Sequence, residues 1–420
     1  MSLPFDPLDP GPRGVPQSLL RRRLFSAAAA VTGSLAAWPT LTLAGAAGPA
    51  TNRFVLVILR GGMDGLGAAP AIGDPDFAAA RGPLVQFGAP ALAIDNTFSL
   101  NPNLVELHGM VGRGEAALVH AVGLPYRERS HFDAQQVLES GGVRPYEIST
   151  GWLGRALAAS GNKGIALNTT VPLVLRGRAD VDTWAPSALP DPSADLVARL
   201  ERMYAGDPVL ATALERARRL HLDTPPPTQD GAMVMAANGM AASGGVRPGA
   251  FVTLATRAAE FLGQPNGPQV AVLEIGGWDT HANQANANGP LAGALRQLDA
   301  GLAALRTGLT SGGAWSRTVV VVASEFGREV AVNGTLGTDH GTGGVAFVLG
   351  GAVQGGRVVA DWPGLAKSQR YEGRDLKITT DLRAVLKGVL ADHLQIASRS
   401  LDGEVFPDSG KVRPLRLLRG

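Results

Sequence analysis

The sequence predicts an α/β protein: a mostly parallel central sheet flanked by helices, with one helical insertion. Three observations predict it. Short apolar runs recur along the chain and close on glycine or polar turn residues, helical periodicity fills the intervals, and the strand signal lapses over about 185–262, where a Pro-rich, helix-patterned stretch intervenes. A continuous apolar run of strand length fits a strand covered on both faces, as in a parallel sheet packed between helices. Alternation of such runs with helical segments points to one α/β layer structure, and 420 residues suffice for a large core.

Taken in order, residues 1–47 read as a leader. Arg21, Arg22 and Arg23 precede Leu24 and Phe25, then an Ala/Leu stretch and small residues suited to cleavage near Ala44 to Ala47. That pattern fits a twin-arginine signal peptide, read by an export machinery that carries folded cargo, with an ordinary secretory leader or a signal anchor as the alternatives. The stretch is short and interrupted by Thr, Gly and Pro, too weak for a stable membrane span. The expected location is periplasmic or extracellular, with the α/β domain over 51–420.

The first strand is expected over Phe54–Leu59, before the glycine-rich turn GGMDG. Further strands are expected near 116–125, 269–277, 318–327 and 344–351. The segment SHFDAQQVLESGG reads as a capped helix ending in Gly-Gly, and apolar residues recurring at three and four mark a helix over 291–309. The stretch at 185–262 carries helical patterns and linker-like DTPPPTQDG and NGMAASGGVRPG. Because the strand pattern resumes at Val270, it reads as an insertion packed beside the sheet rather than an independent domain.

Composition excludes several function classes. The net charge is only +2, with much of the positive excess in the leader, so nothing supports nucleic-acid binding by bulk electrostatics. Zero cysteines exclude disulfides, thiolate metal ligands and lipid attachment through a leader cysteine.

Open parallel sheets bind ligands beyond the carboxyl ends of their strands. The polar residues at those ends form a consistent set. Asp64 follows the first run; Ser130, His131 and Asp133 the second; Asp279 and His281 the third; Glu325 and Arg328 the fourth; Asp339 and His340 precede the last. Carboxylates and imidazoles from separate strand ends suit one or two divalent ions, Zn²⁺, Mn²⁺, Mg²⁺ or Ca²⁺. An Asp-x-His pair in extended chain puts both side chains on one face, so Asp279 and His281 suit shared ligation. Taken singly, each has a plainer reading: Asp64 a turn or helix cap, Asp279–His281 a capped turn, Ser130 an N-cap, Arg328 a surface ion pair.

The ordered segments LRGGMDGL, RSHFDAQQVLESGG, GGWDTHANQ, SEFGREVAVNG and GTDHGTGGVAFVLGG resemble those of a family of twin-arginine-exported bacterial proteins, a domain of unknown function placed in the alkaline phosphatase and sulfatase superfamily. The resemblance covers about Arg53 to Phe406 and implies an alkaline-phosphatase-like sheet. It further implies that Asp64, Asp279, His281, Glu325 and His340 hold the metal, that Ser130 is the nucleophile at a helix N-terminus, and that Arg328 clamps anionic oxygens. Glu274 lies five residues before Asp279, as a Glu does before a metal-binding Asp in those enzymes, and His340 matches their last metal-binding His. This sequence departs from their pattern at Arg60, where an Asp is expected, and at Phe326, where a His is. Those departures imply a remodelled metal site, with His131 or Asp133 compensating, or a partial loss of metal binding.

The resemblance thus implies an exported metal-dependent hydrolase or transferase of phosphate or sulfate esters, its substrate a small molecule or glycan. The alternative is a non-catalytic exported binding or assembly protein that keeps the fold, and a weaker option is another metal-assisted chemistry such as a mutase or lyase.

Overall fold

The computed structural model describes residues 51–186, 192–222 and 249–420. The leader, and with it the twin-arginine motif, lies outside the described residues, as do two stretches of the expected insertion.

Among the described residues, nine strands form the main sheet: β1 (Arg53–Leu59), β2 (Ala116–Gly123), β3 (Gly164–Ala166), β4 (Val181–Thr183), β5 (Val270–Ile275), β6 (Thr318–Ser324), β7 (Gly344–Leu349), β8 (Arg357–Val359) and β9 (Thr380–Asp381). Their spatial order is β8-β2-β7-β6-β1-β5-β3-β4, with β9 also paired to β2. β1 is central and parallel to both neighbours, Leu59 standing opposite Ile275 on one side and Ser324 on the other. All seven of its residues are buried, as the unbroken apolar run demands. The parallel sheet predicted from sequence is therefore present, with one exception: β7 runs antiparallel to β2 and β6. Its amino end consequently lies at the edge where β1, β2, β5 and β6 end.

Alternate residues of β1 face two separate cores. Val55, Val57 and Leu59 pack with α1 (Val105–Gly112), α5 (Ala250–Gly263) and α6 (Pro290–Ser311). Phe54, Leu56 and Ile58 pack with α2 (His131–Ser140), α3 (Trp152–Ser160) and α7 (Leu382–Leu394). The period of two in a strand sends successive side chains to opposite faces, so one strand nails both helical layers to the sheet. The spacing expected over 291–309 appears in α6, which buries Leu291, Leu295, Leu298, Leu302, Leu305 and Leu309. In the insertion, Ala194–Tyr204 and α4 (Pro208–Leu222) are helical, and Ala194–Tyr204 buries none of its residues. Among the described residues, no helix is long and apolar enough to cross a membrane.

Candidate metal centre

Two close approaches shape the carboxyl edge of the sheet. After β1 the chain turns through Gly61 (φ 124°) and Gly62 (φ 64°). A Cβ on Gly61 would stand 2.7 Å from the Asp279 amide nitrogen, and one on Gly62 2.5 Å from the Phe326 ring. Only glycine tolerates both the backbone and the crowding, so this turn lets the loops after β5 and β6 close over the end of β1. Those loops are tied together: Asn283 N–H donates to Thr335 O (3.0 Å) and Thr338 N–H to Thr280 O (3.2 Å). Between β6 and β7, Arg328 and His340 face each other in an antiparallel bridge.

Three donors from three segments meet there: His131 at the first position of α2, Asp279 after β5 and His340 before β7. His131 Nε2 lies 3.0 Å from His340 Nε2 and 3.4 Å from Asp279 Oδ1, and His340 Nε2 is 3.3 Å from Asp279 Oδ1. Ligands about 2.0–2.1 Å from a tetrahedral zinc ion stand about 3.3 Å apart, close to these spacings. His281 shares the Asp279–His340 edge, its Nε2 3.0 Å from both Asp279 Oδ1 and His340 Nε2.

The rings are oriented from outside. His131 Nδ1 lies 2.7 Å from Glu325 Oε1, His281 Nδ1 3.0 Å from Asp339 Oδ1, and His340 Nδ1 2.9 Å from the Arg129 carbonyl oxygen. Each partner only accepts, so each Nδ1 carries the hydrogen, which leaves Nε2 of a neutral ring with its lone pair facing the centre. Outward Nδ1–H bonds to carboxylates and carbonyls are how metal-ligating histidines are held. Several lone pairs beside a carboxylate oxygen repel one another unless positive charge sits among them. In the bare protein a proton supplies it: burial opposes the charge on His131, but the hydrogen bonds and charges of Asp279 and Glu325 prevail and raise it to about 9. Burial likewise works against ionised Asp279, yet His131, His340 and Arg328 hold its carboxyl far below the usual range. Glu325, fully buried, is also lowered despite desolvation, chiefly by His131. The donor set, oxygen and imidazole nitrogen without sulfur, fits a borderline divalent ion.

The residues expected from sequence thus separate into layers. Asp279, His281 and His340 converge. Glu325 stands one layer out, behind His131, a strand-end candidate expected as a ligand only if it, or Asp133, compensates at a remodelled site. The available signal for His131 was its place as first residue of the capped helix after β2. Asp64 does not join the donors: it is buried, caps a short turn through Leu66 N–H and pairs with buried Arg81. Arg328 is not an open clamp, because its side chain is fully buried, with Nη1 2.7 Å from Asp279 Oδ1 and Nε and Nη2 on Thr338. Ser130 is the N-cap of α2, but its hydroxyl makes no capping bond; close by, the Tyr126 hydroxyl donates to Asp133 Oδ2 at 3.1 Å. Arg60 holds Glu274 and Glu139 in an ion triad with closest contacts of 2.7 and 2.9 Å, which accounts for Glu274 away from the donors. Phe326 lies against the imidazoles of His131 and His340, ring centroids 4.6 and 5.2 Å apart.

A family model described as protein of unknown function, DUF1501, matches residues 116–405. The chain belongs to the DUF1501 family. The matched span takes in His131, Asp279, His281 and His340, while β1 and Asp64 precede it. No curated protein matches this DUF1501 chain. Among solved structures it is similar to the phosphonate monoester hydrolase of Agrobacterium radiobacter, at 11% identity and a TM-score of 0.39, over 82% of this chain and 74% of the other. It is also similar to a 2-O GAG sulfatase, at 13% identity and a TM-score of 0.41, over 84% and 72% of the two chains. For the PsFucS1 sulfatase from Pseudoalteromonas sp. the values are 12%, 0.34, 73% and 64%.

Proposed function

We propose that this DUF1501 protein is an exported metal-dependent hydrolase or transferase of phosphate or sulfate esters. The observation that carries the reading is the meeting of His131, Asp279 and His340, with His281 alongside, at the amino end of α2. His131, Asp279, His340 and His281 would hold one divalent ion, which supplies Lewis-acid polarisation of the ester oxygen. The unpaired N–H groups of the first turn of α2 would face an anionic ester at the same place, where a helix favours negative charge. Ser130, free of capping duty, is the nucleophile of this reading. Its Oγ would form the new bond to phosphorus or sulfur as the bond to the ester oxygen breaks, and the proton released from Oγ would pass through solvent to the departing alkoxide, which leaves as the alcohol. Arg328 holds Asp279 rather than substrate, and Glu325 and Asp339 orient His131 and His281. Glu325 and Asp64, expected as ligands, act behind the centre in this reading.

The test is metal content of the purified mature chain, followed by turnover of aryl phosphate and aryl sulfate esters with and without chelator. The expected result is bound metal and chelator-sensitive turnover that falls with Ser130→Ala; absence of such turnover would end the enzyme reading, with or without bound metal. A second reading, a non-catalytic binding or assembly protein, is favoured by Phe326, which lies where the superfamily resemblance implies a His. It predicts metal without turnover. Export by the twin-arginine route to the periplasm or beyond belongs to the same proposal and rests on Arg21 and Arg22.

A further inference from the structure

Behind Asp279 runs a buried chain of polar side chains that no strand-end reasoning anticipates. Arg81, fully buried, pairs with the carboxylate of Asp64, and the Gln284 amide nitrogen donates to that same carboxylate. Gln284 Oε1 then accepts from two hydroxyls, Thr280 at 2.6 Å and Thr338 at 2.7 Å. The Thr338 hydroxyl in turn accepts from Arg328 Nε at 3.2 Å, and the Thr338 carbonyl oxygen accepts from Nη2. Arg328 Nη1 reaches Asp279 Oδ1 at 2.7 Å. Asp64, Arg81, Thr280, Gln284, Arg328 and Thr338 are all buried, none more than 6% exposed, whereas the Asp279 they end on is exposed.

Each link fixes the direction of the next. The amide of Gln284 has its nitrogen towards the Asp64 acceptor, so its oxygen must face the two threonines. Both hydroxyls therefore donate to it, and Thr338 keeps its lone pair for Arg328. A planar guanidinium held at Nε and Nη2 has no freedom left to choose where Nη1 points.

We infer that Asp64, Gln284, Thr338 and Arg328 form an outer relay that aims the Asp279 carboxylate at the imidazoles, making Asp64 a positioning residue anchored by Arg81 and not a ligand. This rests on the reading of His131, Asp279 and His340 as a metal centre. The relay is buried where water cannot substitute for a lost partner, so its links are expected to matter more than exposed hydrogen bonds of the same length.

Asp64→Asn would strand the buried charge of Arg81 and risks misfolding, so the test uses Thr338→Val, which keeps shape and removes the hydroxyl, with Thr338→Ser as rescue and Gln284→Leu as a second break. Two readouts are taken. Zinc affinity, measured by competition with a chelating dye, is expected to fall about tenfold to a hundredfold in Thr338→Val and Gln284→Leu and to return in Thr338→Ser. Crystal structures of metal-free wild type and Thr338→Val are expected to show the Asp279 carboxylate turned away from His131 and His340 in the variant. Folded variants with wild-type zinc affinity and an unmoved Asp279 would overturn the relay. If wild-type protein takes up no zinc, the metal-centre reading fails, and the position of Asp279 in the two metal-free structures still decides the relay.

Discussion

At the scale of single residues, the centre is a matter of which atoms already have partners. Asp279 contributes the carboxylate oxygen that approaches Nε2 of His131, His281 and His340, so Asp279→Asn, which keeps the shape and removes the charge, is expected to weaken zinc binding at least tenfold by dye competition. Wild-type affinity in that variant would remove Asp279 from the site. His120 tests the opposite case, a histidine built to stay neutral. It is fully buried, its Nε2 lies 2.9 Å from the Ala69 carbonyl oxygen, and its Nδ1 accepts from the Ala121 N–H at 2.9 Å. Burial pushes it down to about 4, against the pull of the Ala69 carbonyl and the Asp64 charge. Unfolded, the same ring takes a proton near 6.5, so below that pH the unfolded state binds more protons than the folded one. The stability it confers is complete above pH 6.5 and is lost as the pH falls through about 4, a change on the order of 3 kcal/mol. Urea unfolding of wild type and His120→Gln across that window should show the wild-type slope flattened in the variant. The approach of Asp279, His281 and His340 was legible because it follows from their place at strand ends. For Asp64 and Arg328 the plainer readings, a cap and an ion pair, are the ones the structure shows, but their burial was not legible, because Arg81, Gln284 and Thr338 are partners that only the folded chain brings within reach.

Among the elements, direction was the hidden quantity. A buried strand reads as the same apolar run whichever way it points, so GVAFVL announced a strand but not that β7 opposes its neighbours. The reversal explains how His340, which precedes its strand, meets His131 and Asp279, which follow theirs. Helix α6 was plain from its three-and-four spacing, and that face can be tested directly. Leu302→Ala opens a cavity between α6 and the sheet and is expected to cost about 2–5 kcal/mol in urea unfolding, with zinc affinity unchanged. The turn after β1 should behave differently. Gly62→Ala strains a positive φ and drives a methyl group at the Phe326 ring, which rests on His131 and His340, so both stability and zinc affinity should fall. Loss of stability alone would show that the turn does not shape the site.

For the whole molecule, the predicted sheet between helical layers was legible because periodicity records burial. The site was only partly so, because nothing in a linear pattern fixes which loops touch. An ion that binds only the folded chain must stabilise it: zinc at about a hundred times its dissociation constant should add about 2.7 kcal/mol, raising the melting temperature in proportion to the logarithm of zinc concentration. A melting temperature indifferent to zinc and to chelator would leave the centre without its ion. Lys in place of Arg21 and Arg22 should retain the chain in the cytoplasm, measured by cell fractionation; unaltered export would exclude the twin-arginine route.

The sequence distances across the centre carry one more consequence. His131 and His340 are 209 residues apart, and His281 and His340 59. Closing loops of that length costs entropy that only the finished sheet repays, so the donors assemble late. Zinc uptake is then a clock for the end of folding. In a refolding experiment the dye should lose its metal to the protein no sooner than the slowest change in tryptophan fluorescence.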